Sequence, residues 1–110
     1  MLTVSEQCEI GLTRGDTARL TVSIKNDLNN EPYEIKETDT IILSVKKSVT
    51  SSEYAFQKRI SGSNVFYFEP QDTAGLSFGK YKYDVQLTTA EGEVYTVIPP
   101  TTFEVLQEVT

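Results

Sequence analysis

Apolar and polar residues alternate along much of this chain. Between residues 17 and 25, Ala18, Leu20, Val22 and Ile24 are separated by Arg19, Thr21, Ser23 and Lys25. Successive side chains of an extended strand point to opposite faces, so a period of two gives one dry face and one wet face. A helix would scatter the same four apolar residues around its circumference. The alternation returns over residues 80–88, where Tyr81, Tyr83, Val85 and Leu87 are interleaved with Lys80, Lys82, Asp84 and Gln86. Further strands are predicted over 40–46 with Ile41, Leu43 and Val45 inward, and over 53–60, 64–69 and 93–98. Another is predicted over 102–106 with Phe103 and Val105 inward, and a weaker one over 7–13.

Turn chemistry separates these runs, at Arg14-Gly15-Asp16, residues 26–32, 37–39, 61–64 and 70–75, Glu91-Gly92 and Pro99-Pro100. The Ala90-Glu91-Gly92 stretch predicts a hairpin between the tyrosine-bearing strand and the next. Short strands at a spacing of roughly 8–12 residues, each apolar on one face, need a second sheet to cover that face. The predicted fold is therefore all-β, an immunoglobulin-like antiparallel β-sandwich of seven to eight strands, with residues 1–110 forming a single domain. One helical turn is predicted over 71–76, after Pro70. It leads through Phe78-Gly79 into the tyrosine strand, where immunoglobulin-like domains often carry a tyrosine whose hydroxyl bonds back to the crossover. Tyr81 and Tyr83 both fit that role, and both also fit as ordinary core tyrosines with hydroxyls at the rim.

Some apolar residues are out of phase. Ile42 stands beside Ile41 and Leu43, Val65 and Tyr67 beside Phe66 and Phe68, and Tyr95 and Val97 beside Val94, Thr96 and Ile98. A strand with a solvated outer face does not need them. Either a partner covers part of an outer face, with Ile42, Val65 and Tyr67 as the partner-binding candidates, or exposed apolar residues are scattered and a local bulge shifts the phase.

Composition narrows the function. A length of 110 residues suits one domain. The formal charge of −6 opposes a nucleic-acid backbone or an anionic membrane as main partner. No apolar stretch approaches the ~20 residues of a membrane helix. The amino terminus has neither a basic segment nor an apolar run of signal-peptide length, which predicts synthesis in the cytoplasm without a signal peptide. Cys8 is the only cysteine and histidine is absent. The expected chain is therefore free of intramolecular disulfides and lacks the commonest general base and the usual zinc ligands. Cys8 has no imidazole to activate it and reads as a small thiol. No catalytic residue, cofactor site or metal site is assigned.

Local motifs leave that assignment unchanged. Asp27, Asn29 and Glu31 alternate like the start of an EF-hand loop, but Pro32 occupies the position that needs glycine and Thr38 the position that needs a bidentate glutamate. A looser loop calcium site, using Asp39 or Asp72, is a lesser expectation. Arg14-Gly15-Asp16 spells an adhesion tripeptide, yet glycine and aspartate are also an ordinary way to end one strand and start another.

Arg14-Gly15-Asp16-Thr17 before an alternating strand, then Tyr33-Glu34-Ile35, then Ile41-Ile42-Leu43-Ser44-Val45-Lys46-Lys47, resembles the amino-terminal domain of phage baseplate upper proteins. So do Asp72-Thr73-Ala74-Gly75-Leu76, Gly79-Lys80-Tyr81-Lys82-Tyr83-Asp84-Val85 and Val94-Tyr95-Thr96-Val97-Ile98. The resemblance spans roughly residues 12–105. It implies an immunoglobulin-like fold and a non-enzymatic structural role in a phage or prophage tail of Gram-positive bacteria. It also implies other tail proteins or further copies as partners, and a place in the virion. The family's larger members continue into a helical linker and a carboxyl-terminal part that holds receptor-binding subunits, for which this sequence has no counterpart. The competing expectation is a carbohydrate- or cell-surface-binding module, which the absence of tryptophan weakens.

Overall fold

In the computed structural model, residues 2–4, 9–24 and 33–108 are described, 2–4 by their backbone. Their elements are β1 (Leu2–Val4), β2 (Ile10–Thr13), β3 (Ala18–Thr21), β4 (Thr40–Lys46), β5 (Phe56–Ser61), β6 (Val65–Phe68), α1 (Pro70–Ala74), β7 (Gly79–Thr88) and β8 (Val94–Leu106). The fold is all-β. Six strands form one sheet in the order β1-β2-β8-β7-β4-β5, and β3 pairs with β6 in a second sheet. All pairings are antiparallel except that of β2 with β8, which is parallel.

The period-two pattern decides which face is dry. Ile41, Leu43 and Val45 of β4, Tyr81, Tyr83, Val85 and Leu87 of β7, and Phe103 and Val105 of β8 are all buried. Leu20, Phe66 and Phe68 of the smaller sheet face them and join the same core. Each large side chain removed from water in this way contributes roughly 1.5–3 kcal/mol. Phe103 ties the layers together, with ring centroids 5.7 Å from Phe56, 5.9 Å from Phe68 and 6.1 Å from Tyr83.

Strand 40–46 occurs as predicted, and β7 begins one residue earlier than predicted. The run over 17–25 is shorter as a strand. Beyond Thr21 the dry face persists without a regular ladder, with Val22 buried and its N–H bonded to the Asn64 carbonyl at 2.8 Å. The strands predicted over 53–60 and 64–69 shrink to β5 and β6, which belong to different sheets. Gly62 between them has φ +67°, and a side chain there would meet the Glu37 backbone at 3.3 Å. The predicted strand over 7–13 appears as β2, and β1 was not foreseen. Cys8 and the loop carrying Asp27, Asn29, Glu31 and Pro32 lie outside the described residues.

The predicted turn at Pro99-Pro100 does not separate two strands. Residues 93–98 and 102–106 belong to one long strand, β8, whose register against β7 shifts between Tyr83 and Val85 and again between Val85 and Gln86. A bulge leaves a residue out of the ladder, so a proline there forfeits no hydrogen-bond donor. The two shifts also explain the out-of-phase residues Tyr95 and Val97. Phase slips twice along β8, and no partner is needed to account for it.

The β5 edge of the larger sheet is protected locally. On edge strand β5, Lys58 occupies an inward phase opposite Leu43, and its Nζ reaches Asp72 Oδ2 of α1 at 2.6 Å. The same carboxylate accepts the Glu69 N–H at 2.7 Å, fixing the start of α1. An inward-pointing charge on an edge strand discourages pairing with another chain. Beyond α1, Tyr81 proves to be the crossover tyrosine: its hydroxyl donates to the Ser77 carbonyl at 2.9 Å. Replacing it in Tyr81→Phe should leave the fold intact and cost about 1 kcal/mol in urea unfolding, as expected for one neutral hydrogen bond. An unchanged midpoint would show that the bond does not anchor the crossover.

Candidate interaction surfaces

The three partner-binding candidates do not share a face. Ile42 points outward from the six-stranded sheet, half-buried between its cross-strand partners Arg59 and Gln86. It stands alone in a polar surface and does not mark an apolar patch. Val65 and Tyr67 lie on the outer face of the smaller sheet, on the opposite side of the molecule, paired with Thr21 and Arg19. Tyr67 is 55% exposed, and the Arg19 guanidinium lies 5.1 Å from its ring centroid. The tyrosine ring presents a broad surface with few rotatable bonds, and the guanidinium against it adds charge.

At one end of the molecule, residues 33–39 meet the turn at 61–64. Asp39 is 1% exposed and organises this end. Its carboxylate accepts the Tyr33 hydroxyl at 2.6 Å and the Lys36 N–H at 3.0 Å, and its carbonyl accepts the Gly62 N–H at 3.3 Å. These bonds, and those of Asp72 to Lys58 and Glu69, commit both aspartates that sequence analysis raised for calcium to structural partners. Among the described residues no three acidic or cysteine side chains converge as a metal site.

At the other end, Arg14 is a clamp. It pairs with Glu108 at 2.6 Å, reaches the Leu76 carbonyl at 3.4 Å, and covers the Phe78 ring 4.2 Å from its centroid. Gly15, at φ +82°, donates its N–H to Thr73 Oγ1 at 2.9 Å. The Arg-Gly-Asp tripeptide thus joins β2 to the crossover and to the chain beyond β8, with its arginine engaged internally.

Sequence reasoning missed one concave site. The segment joining β4 to β5 folds over the outer face of the larger sheet and leaves a cleft of about 160 Å³. Its floor carries Ser44, Lys46, Lys82, Asp84 and Gln86, and Tyr54 and Pro100 contribute walls. Lys46 lies 4.8 Å from the Tyr54 ring centroid. Burial pushes the Asp84 carboxyl above the ordinary aspartate range, with the Lys46 ammonium opposing that shift. The signal available in sequence was weak: one tyrosine after the segment Ser48 to Ser52, polar apart from Val49, and ordinary polar alternation in β7.

No family model matches the chain, and no curated protein is significantly similar to it. No helix among the described residues is long and apolar enough to cross a membrane.

The Tyr33–Asp39 bond sets a pH window. The tyrosine hydroxyl, then the Lys36 N–H, hold the Asp39 carboxyl below its ordinary value against the effect of burial. A depressed carboxyl contributes stability that is full above its unfolded pKa and lost as pH falls through the folded one. The same bond pushes the Tyr33 phenol up to about 12. That contribution is present below the ordinary phenol value of about 10 and disappears as pH rises from there through the folded value. Tyr33→Phe should cost about 1.5–3 kcal/mol near neutrality. It should also move the acid limb of a stability–pH profile upward and remove this phenol's share of the alkaline limb. Urea unfolding across pH measures both limbs.

Proposed function

We propose that this chain is a non-enzymatic interaction domain with an immunoglobulin-like sandwich, serving as a structural component of a phage or prophage tail. The fold part of this reading is supported by two sheets sharing one core, a parallel pairing of an early strand with the last, and a crossover tyrosine bonded to backbone four residues upstream. The tail assignment rests on the sequence resemblance.

One observation carries the interaction reading. Tyr67 and Arg19, residue types enriched at energetic centres of interfaces, are paired and exposed on the outer face of a two-stranded sheet. Neither edge of that sheet has a strand partner among the described residues. A tail subunit or a second copy would cover this face. Light scattering after gel filtration, over a wide concentration range, tests the self-assembly form. The expected result is a discrete oligomer that Tyr67→Glu weakens about thirtyfold, equivalent to about 2 kcal/mol, while Ile42→Glu leaves it unchanged. A wild-type monomer at every concentration, together with no retention of tail proteins from a phage-producing lysate, would refute the proposal.

A further inference from the structure

The cleft under the β4–β5 segment gathers polar and charged groups with few internal partners. Lys46 and Lys82 are direct cross-strand partners, an arrangement of like charges that costs stability. Asp84, two residues along β7 from Lys82, faces the same side. Its carboxylate accepts no hydrogen bond from the described residues, although it is half-buried. Gln86 continues the row, its amide likewise uncommitted. Outward groups two residues apart on a strand lie about 7 Å from each other. Tyr54 stands at the rim, 52% exposed.

Each feature restricts the occupant. A half-buried carboxylate and a primary amide that bond no described residue can accept from and donate to a ligand rich in hydroxyls. The Lys46 ammonium lies over one face of the Tyr54 ring, and the exposed remainder of the ring offers an apolar surface on which the C–H face of a sugar ring can lie. The cleft is well below the roughly 300–1,000 Å³ of sites that enclose drug-sized molecules, so it admits one small ring. The charges fix the rest. Asp84 offsets Lys46, and Glu104 is the cross-strand partner of Lys80, which leaves Lys82 with no ion pair among the described residues. Its Nζ makes one long contact of 3.4 Å, with Thr102 Oγ1. One uncompensated ammonium matches a singly charged carboxylate better than a phosphate monoester, which carries about −1.5 to −2 near neutrality.

We propose that this cleft binds a pyranose bearing a carboxylate, a uronic acid unit, with Tyr54 against the ring, Asp84 and Gln86 bonded to its hydroxyls, and Lys82 paired with its carboxylate. The site lies on the larger sheet, away from Tyr67. It therefore stands or falls independently of the assembly proposed above.

Titration of the full chain with D-glucuronate, D-glucose and acetate, followed by backbone amide shifts, tests the proposal. Glucuronate should saturate with a dissociation constant of about 1 mM, glucose should bind about tenfold more weakly, and acetate should give no saturable shift. The shifts should centre on Ser44, Asp84 and Gln86. Lys82→Gln should erase the preference for glucuronate over glucose, and Tyr54→Ala should weaken both sugars. Both residues are outside the core, and unchanged shifts around Leu20 and Phe66, on the other sheet, would confirm that each variant is folded. The proposal is overturned if glucuronate fails to saturate, if acetate reproduces its shifts, or if either variant binds like the wild type.

Discussion

Phe103 meets aromatic rings from three other strands, Phe56 of β5, Phe68 of β6 and Tyr83 of β7. That contact follows from an imbalance. A six-stranded sheet presents a broad apolar face, and only two short strands are available to cover it. Large rings packed edge to face reach farther than aliphatic side chains and close the space between unequal layers. The rest of the molecule is arranged around that closure. Val22, Ile24, Tyr33 and Ile35, none in a strand, extend the smaller layer over the core.

Polar contacts sit where this covering runs out. Lys58 and Asp72 join the edge of the larger sheet to the crossover helix. Arg14, Glu108 and Phe78 close one end, and Asp39 with Tyr33 closes the other. Asp39 is the most deeply buried of these charges and is stabilised by a phenol and a backbone amide, without a cationic partner in direct contact among the described residues. The solution suits a turn whose backbone must be held in one shape, because a carboxylate can accept several donors at once. With both ends and the β5 edge engaged in this way, the outer face of the smaller sheet around Tyr67 and the cleft beside Tyr54 keep groups with few partners among the described residues.

Much of the fold was legible because period-two alternation is a direct consequence of strand geometry. The inward residues of β4, β7 and the last part of β8 follow from it one by one. The candidate surface was less legible. Ile42, Val65 and Tyr67 share one sequence signature, an apolar residue in the wet phase, yet pairing puts them on opposite sides of the molecule. Tyr95 and Val97 carry the same signature for a different reason, the two register shifts in β8. A phase anomaly records that something is unusual locally, and several physical causes produce it.

The sequence by itself determined an all-β chain, the dry face of each main strand, the positions of most turns and the crossover before Tyr81, since these depend on neighbours along the chain. Tertiary structure alone decided which strands share a sheet, that β2 runs parallel to β8, and that Lys46 faces Lys82 beside Asp84. It also decided that the Tyr81 hydroxyl bonds back to the crossover, at the Ser77 carbonyl. These outcomes depend on register between segments far apart in sequence, and register is set by how whole apolar faces fit together once packed.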